Sequence, residues 1–213
     1  MKKLARTLLL TSAAMASPTN AQPQQSPPAA VEAKSRQASS FLPGDFNVPT
    51  LVETPGFKIA PLGPALVKVD FDAYMSSIEH LQKTFTRSSS WPNKDISQAD
   101  AMRDMETEQA RFKNRQSFAY AVLTPDGSRE RGSVYVSPSP VASYDAVVRM
   151  WVTKADYDAG FDAELYKWVT EWVQTEWPFR KVVYPGRSID WETWDSVVAA
   201  NMPRKAVPEE KSP

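Results

Sequence analysis

Hydrophobic positions along the chain follow two different periods, and these predict strands and helices in a definite order. The alternating segment FKIAPL, residues 57–62, predicts a first strand. Apolar residues at helical spacing follow, with Asp70 standing where a helix N-cap residue is expected. The apolar positions of this helix are Phe71, Tyr74, Ile78, Leu81 and Phe85. The segment SSSWPN then ends the helix, because proline lacks an amide donor and restricts the residue before it.

A second, more polar helix is predicted after this break. Ser97 and Asp100 have the spacing of a capping box, with aspartate in place of the usual glutamate. The helix is expected to run to about Arg115. Its thin apolar stripe consists of Ala101, Met105 and Phe112.

Three strands are predicted next, from the segments SFAYAVL, GSVYVSP and YDAVVRMWVT. The first two are joined by TPDGSRER, whose Pro-Asp-Gly supplies turn chemistry. Gly160 then precedes an amphipathic helix that should end at Trp177-Pro178. The apolar stripe of that helix is Phe161, Leu165, Trp168, Val169, Trp172 and Val173. RKVVYPG predicts a fifth strand, and residues 189–200 predict a last short helix.

This order of elements predicts an α+β (α/β-like) domain with a single core over residues 56–202. An antiparallel meander of three strands, followed by a crossover helix and another strand, gives a mixed sheet with helices on both faces. Phe118, Tyr120, Val148, Met150 and the stripe of the crossover helix are expected to share the core.

Residues 1–21 have the three-part layout of a secretory signal peptide. Lys2, Lys3 and Arg6 precede an apolar run, and small residues lead to a cleavage position after Ala21. The apolar run is shorter than the ~20 residues that a membrane span needs. The sequence therefore predicts an exported protein, periplasmic or extracellular, without a stable membrane anchor.

Two segments are too polar to bury the surface that folding requires. Residues 22–55 are rich in Pro, Gln, Ser and Ala and predict a disordered linker, with contacts to the domain near its end from Phe41, Phe46 and Val48. Residues 203–213 predict a disordered tail.

Charge and cysteine content exclude several classes of function. The chain of 213 residues has 25 basic and 25 acidic residues, so it carries no basic footprint for nucleic acid. It has no cysteine and one histidine, His80, which excludes disulfides, thiol nucleophiles and thiolate metal sites. His80 is expected at a surface or an interface. The oligomeric state is not predicted.

Acidic residues crowd the loop between the third meander strand and the crossover helix. Asp156, Asp158 and Asp162 fit positions 1, 3 and 7 of a calcium loop, but Phe161 and Lys167 occupy positions that require Gly and Glu. The alternative is that these acids favour the helix start by interacting with its dipole. No metal site is expected.

The element order over roughly residues 57–194 resembles the fold of the GNAT superfamily, the Gcn5-related N-acyltransferases, and WPFRKVVYPGRSIDW at residues 177–191 resembles GNAT-like proteins. The resemblance implies a splayed central strand whose backbone binds the acyl-CoA arm at Met150, Trp151, Val152 and Thr153. It implies a pyrophosphate loop from Lys154 to Gly160, at a helix start where the dipole favours an anion.

The resemblance implies an N-acyltransferase that uses acetyl-CoA or another acyl-CoA as co-substrate and a small-molecule amine as acceptor. The sequence identifies no general base. Trp91, Arg187 and Trp191 are the candidate substrate-binding residues, because they lie in or near loops and offer stacking surfaces or an anion anchor. The alternative for each is core packing or a surface position.

The acids of the loop support a second hypothesis of another class. Carboxylates ~6 Å from a pyrophosphate would each repel it by roughly 2–3 kcal/mol at an effective dielectric of about 20. If they face the phosphate site, CoA should bind weakly. The protein would then be an exported, non-catalytic module on a GNAT-like fold, which binds a small ligand or a cell-envelope component.

Overall fold

Six strands form one mixed sheet within residues 41–202, the part of the chain that the computed structural model describes. The strands are β1 (Val52–Glu53), β2 (Lys58–Pro61), β3 (Phe118–Leu123), β4 (Glu130–Pro138), β5 (Ala146–Val152) and β6 (Val182–Val183). The helices are α1 (Val67–Met75), α2 (Ile78–Leu81), α3 (Gln98–Lys113), α4 (Lys154–Asp158), α5 (Phe161–Glu176) and α6 (Trp191–Asn201). A π-helical turn, Gln82–Thr86, follows α2.

The strands lie in chain order across the sheet, and this confirms the predicted architecture. Neighbours from β1 to β5 are antiparallel, whereas β5 and β6 are parallel and are connected through α4 and α5. Gly132 in β4 permits the closest strand approach, because a Cβ there would lie 2.1 Å from the Trp151 carbonyl oxygen. The parallel pairing is short: it joins Ala146 to Val182 and Val147 to Val183.

One face of the sheet packs against α5, as the helical stripe predicts. The buried residues there include Phe118, Tyr120, Val148, Met150, Leu165 and Trp172. Trp168 is only half-buried: its ring packs edge-on against Phe57 at 5.1 Å and stacks on Trp172 at 5.3 Å. It therefore covers the margin of the core instead of filling its centre.

The other face packs against α1, the π-helical turn and α3. Tyr74, Leu81 and Phe85 are buried there with Trp151. The predicted capping box is confirmed, since the Ser97 side chain accepts from the Asp100 amide and the Asp100 side chain accepts from the Ser97 amide. The prediction of Asp70 as an N-cap is wrong: α1 begins at Val67, and Asp70 lies inside it, only 6% exposed.

Part of the segment that the sequence assigns to a linker belongs to the folded domain. Leu42 is 1% exposed, and the Phe41 ring stacks on Phe179 at 5.2 Å. The Arg115 guanidinium donates to the carbonyls of Pro43 and Phe46, at 2.7 and 3.1 Å. The side chains of Phe41 and Leu42, together with these two hydrogen bonds, hold the polar segment on the core. The ordered domain thus includes residues 41–55, ahead of the predicted boundary.

The predicted signal peptide, the first part of the predicted linker and the predicted tail lie outside the described residues. Within residues 41–202, no helix is both long enough and apolar enough to cross a membrane.

Candidate functional site

A gap opens in the sheet where β6 leaves β5. Pairing ends at Val147, so the remaining edge of β5, from Val148 to Val152, has no β6 partner. A cavity of about 250 Å³, here called the gap cavity, lies beside this edge and is lined by Met150, Trp151 and Val152. The structure therefore brings three of the five predicted CoA-binding residues together at an open strand edge.

A tight turn after β6 forms the opposite wall of the gap cavity and carries Arg187 and Trp191. Gly186 permits the turn: its φ is +76°, and a Cβ there would lie 2.3 Å from the Trp191 indole nitrogen. The Gly186 amide donates to the Ile189 carbonyl at 2.8 Å. The backbone thus holds both predicted side chains against the gap.

The acids that crowd the sequence after β5 are each paired with a cation. Asp156 is buried and accepts from Arg129 at 2.6 Å and Arg131 at 2.7 Å. Burial by itself raises the pKa of Asp156, but hydrogen bonds from Arg129, Thr153 and Arg131 outweigh it and hold the pKa below its ordinary value. The carboxylate is therefore neutralised on the β4 side of the loop.

The other two acids have their own partners. Asp158 accepts from Lys154 at 2.5 Å, and Asp162 binds the Arg187 guanidinium through both oxygens, at 2.5 and 2.6 Å. These pairs compensate the charges of Asp158 and Asp162 on either side of the start of α5. They also occupy all three acids of the calcium-loop alternative, and no metal-binding cluster of His, Asp or Glu is present among residues 41–202.

The charges that line the gap cavity are mainly positive. Lys83, Arg149 and Arg187 face it, against one carboxylate, Asp162. His80 lies at the same wall, with its ring 4.8 Å from Tyr157, and burial followed by the charge of Lys154 lowers its pKa. An open strand edge beside several cations fits a chain-like ligand with phosphate groups, as CoA is.

The segment predicted as a pyrophosphate loop is the short helix α4. The Thr153 hydroxyl caps it by accepting from the Asp156 amide, while the Thr153 amide donates to Arg131 and its carbonyl accepts from Tyr157. Gly160 is exposed, with a φ of +83°, and its amide donates to the Tyr157 carbonyl. The structure places neither Thr153 nor Gly160 on the gap cavity.

A larger cavity of about 430 Å³, here called the acceptor cavity, lies between the sheet, α1 and α3. Trp91, the third predicted substrate residue, lines it with Tyr74, Phe85 and Tyr135. Trp91 lies 5.2 Å from the Tyr74 ring and 6.1 Å from the Phe85 ring. The predicted substrate residues are thus divided between two cavities.

Two buried carboxyl groups face each other behind the acceptor cavity. Glu130 is 0% exposed, and its Oε1 accepts from the Ser133 hydroxyl at 2.7 Å. Its Oε2 accepts no hydrogen bond from a described residue. The Asp70 carboxyl, which lines the cavity, raises the pKa of Glu130 by its charge. Two buried carboxyl groups that interact in this way favour a state in which one of them keeps its proton.

The pKa values of both carboxyl groups are raised, as expected when one of the two keeps a proton. Burial raises the pKa of Asp70 to about 7, with an opposing effect of its hydrogen bond to Glu130 and a further increase from Asp104. Burial, followed by the charge of Asp70, raises the pKa of Glu130 well above its ordinary value. A carboxyl with a pKa near neutrality is suited to general acid–base catalysis.

The two cavities meet at Phe85 and Arg149, which line both of them. The Arg149 guanidinium lies 4.3 Å over the Phe85 ring and donates to the Phe85 carbonyl at 3.0 Å. Its Nε is buried without a hydrogen-bond partner among the described residues, and burial lowers its pKa. A donor is therefore available at the point where groups from the two cavities would meet.

Comparison with known proteins supports the fold. No protein-family model matches the chain, and no curated protein sequence matches it. Among solved structures, a protein of Vibrio cholerae assigned as a ribosomal-protein-serine acetyltransferase is similar, with 11% identity, a TM-score of 0.52, and coverage of 70% of this chain and 80% of that one.

The apo structure of RimL, a ribosomal L7/L12 alpha-N-protein acetyltransferase, is similar with 12% identity and a TM-score of 0.50, and covers 73% of this chain and 81% of its own. Its complex with coenzyme A gives 13% identity, a TM-score of 0.50, and coverage of 71% and 82%. Together with the strand order, these similarities confirm the predicted α+β, GNAT-like fold.

Proposed function

We propose that this protein is an N-acyltransferase that transfers an acyl group from acyl-CoA to an amine. One observation carries the proposal: a cationic cavity at an open strand edge and an acidic cavity meet at Arg149 and Phe85. The first fits the phosphates and the arm of CoA, and the second fits a protonated amine. The acetyltransferases with the same fold, one of them solved with coenzyme A, support this assignment of the two cavities.

The residues of the gap cavity would hold acyl-CoA by backbone and charge. The β5 edge from Val148 to Val152 is free to pair with the extended arm, as an added strand would. Lys83 would neutralise a phosphate group, and Arg187, which is already paired with Asp162, would add hydrogen-bond donors. The acyl-CoA supplies the activated thioester; the protein orients it and supplies no covalent nucleophile.

The Asp70–Glu130 pair would take the proton that the amine must lose. In the transfer, the carboxyl pair would take one proton from the ammonium group, and the free nitrogen would attack the thioester carbon; a C–N bond forms as the C–S bond breaks, and the second proton of the nitrogen passes to the sulfur, so that CoA leaves as the thiol. Tyr135 and Arg149 line the same cavity as Asp70. Arg149 would donate to the acyl oxygen as negative charge develops there.

A thiol-release assay tests the proposal. Because the chain contains no cysteine, a thiol reagent such as dithionitrobenzoate reports only the CoA that is released. We expect release from acetyl-CoA that depends on an added amine, and a loss of about 100-fold in kcat/KM for Asp70→Asn, as is usual for a general base. Asp72→Asn on the exposed side of α1 is the matched control and should retain activity.

A second candidate, a non-catalytic binding module, is favoured by α4. The Lys154 amide donates to the Ser77 hydroxyl at 2.8 Å and the Asp156 amide to the Thr153 hydroxyl at 3.1 Å, so fewer amides are free for a pyrophosphate. The predicted export also favours this candidate, because acyl-CoA is not expected outside the cytoplasm. Binding of CoA without thiol release under any amine would favour the module.

A further inference from the structure

The acceptor cavity carries more carboxylates than its cations neutralise. Asp70, Asp104 and Glu108 line it, against Arg111 and Arg149. Glu108 and Arg111 form a salt bridge of 2.8 Å with each other, and Arg149 lies at the junction with the gap cavity. Away from the junction, the carboxyl groups of Asp70 and Asp104 are therefore left outside this salt bridge.

A tyrosine of the same cavity wall has a buried hydroxyl without a hydrogen-bond partner among the described residues. Tyr74 is 3% exposed and lines the cavity, yet its hydroxyl makes no hydrogen bond with any described residue. Burial, followed by the charges of Asp70 and Asp104, raises the pKa of Tyr74, so the hydroxyl stays protonated. Since an unsatisfied buried hydroxyl is costly, a ligand atom that hydrogen-bonds there would be stabilising.

Aromatic rings surround this hydroxyl. The Tyr74 and Trp91 rings lie 5.2 Å apart, and Phe85 and Tyr135 lie 5.6 Å apart on the sheet side. Arg149 already covers the Phe85 ring, which leaves Tyr74 and Trp91 as the faces available to a ligand. Aromatic faces beside carboxylates attract an organic ammonium group.

The acids occupy two separate positions on the wall. Asp70 comes from α1 and is buried against Glu130, whereas Asp104 comes from α3 and has no direct hydrogen bond or salt bridge with a described residue. Burial, followed by Asp100, raises the pKa of Asp104, while the charges of Arg103 and Arg111 lower it. The two acids therefore reach the cavity from two different helices.

The geometry points to an acceptor with two positive charges, an α,ω-diamine or a longer polyamine. Its reacting nitrogen would lie near Asp70 and Tyr74, and its second ammonium group near Asp104 and the Trp91 ring. This inference rests on the proposed function for its account of the reacting nitrogen, but the site for a second cation does not require acyl transfer.

Calorimetric titration without acetyl-CoA tests the cation site directly. The probes are α,ω-diamines of three to eight carbons, each compared with the n-alkylamine of the same length. We expect at least one diamine to bind at least tenfold more tightly than its monoamine, with an affinity that falls as salt is added. Asp104→Asn should abolish this preference, whereas Asp95→Asn, at an exposed position in the preceding loop, should leave it unchanged.

The outcomes separate the two proposals. Diamine preference that depends on Asp104, without any thiol release from acetyl-CoA, supports the cation site and overturns the acyltransferase. Thiol release with equal kcat/KM for monoamines and diamines supports the acyltransferase and overturns the two-charge acceptor. Tighter binding of ω-aminocarboxylates than of diamines also overturns it, because Arg149 would then dominate recognition.

Discussion

Replacing Asp70 with Asn should make the stability of the protein less sensitive to pH. In the wild type, burial is the largest cause of the raised pKa of Asp70, and Asp104 raises it further. The Asn side chain has nearly the same shape, but it has no group that titrates in this pH range. The contribution of Asp70 to the pH dependence should therefore disappear, whereas a change at Glu130 would leave the burial of Asp70 in place.

The magnitude follows from the shift in Asp70. Its pKa rises from 3.8 to about 7, so the native state binds more protons than the unfolded state between these values. The contribution of Asp70 to the free energy of unfolding is therefore fully present at low pH. It is lost as pH rises towards 7, by ~1.4 kcal/mol per pH unit. Between pH 5 and pH 8, this amounts to about 3 kcal/mol.

Urea unfolding followed by tryptophan fluorescence at pH 5 and pH 8 measures the effect. The free energy of unfolding of Asp70→Asn, relative to wild type, should increase by about 3 kcal/mol from pH 5 to pH 8. Asp72→Asn, on the exposed side of the same helix, should show no such change. A wild type whose stability rises over this range, with Asp70→Asn differing from it by the same amount at both pH values, would refute the raised pKa of Asp70.

Four further predictions concern the gap, the sheet, the helix stripe and the N-terminus. Lys83→Glu should weaken CoA binding at least tenfold by calorimetry, whereas Lys167→Glu, exposed on α5, should not. Equal effects of the two variants would show that the cations of the gap cavity do not bind CoA. Gly132→Ala should cost about 2–3 kcal/mol in unfolding experiments, because its Cβ would meet the backbone of β5; a neutral result would contradict the close approach. Trp168→Ala should cost less than the 3–5 kcal/mol typical of a fully buried Trp, and a larger loss would place this ring in the core centre. Mass spectrometry of the exported protein should show cleavage after Ala21, and an intact N-terminus in a cytoplasmic fraction would reject export.

The periodicity of the sequence was sufficient to predict the sheet and the helices that cover it. Strands β3 to β5 and helix α5 have continuous apolar patterns, and the Ser97 cap has a local signature that needs no tertiary contact. The N-terminal segment was harder, because Leu42 and Phe41 are isolated apolar residues among polar ones. Their burial depends on a surface that distant strands create.

The candidate site was predictable only in part. An open edge at Met150, Trp151 and Val152 follows from the resemblance, because it depends on backbone topology. The carboxyl pair was missed: Asp70 and Glu130 are far apart in sequence, and Asp70 stands where a helix cap would. Its position four residues before Tyr74, on the apolar side of the helix, was the one signal that it faces inward.

The acids after β5 were misjudged for the same reason. Spacing alone places Asp156 near a phosphate site, but its partners Arg129 and Arg131 lie just before and within the start of β4, which approaches only in the folded sheet. A charge count along the chain cannot show which carboxylates have found a cation. In the structure, Asp156, Asp158 and Asp162 form ion pairs, which reduce the expected repulsion between these acids and a phosphate.

The measurement that tests the central claim most directly is the stoichiometry of transfer in one reaction. Acetyl-CoA and an α,ω-diamine are incubated with the protein, and chromatography with mass spectrometry quantifies free CoA and acetylated amine together. The account predicts equal amounts of both with the wild type, and neither above background with Asp70→Asn, although that variant still binds CoA. Free CoA without acetylated amine, or no product from wild type that binds both compounds, would contradict it.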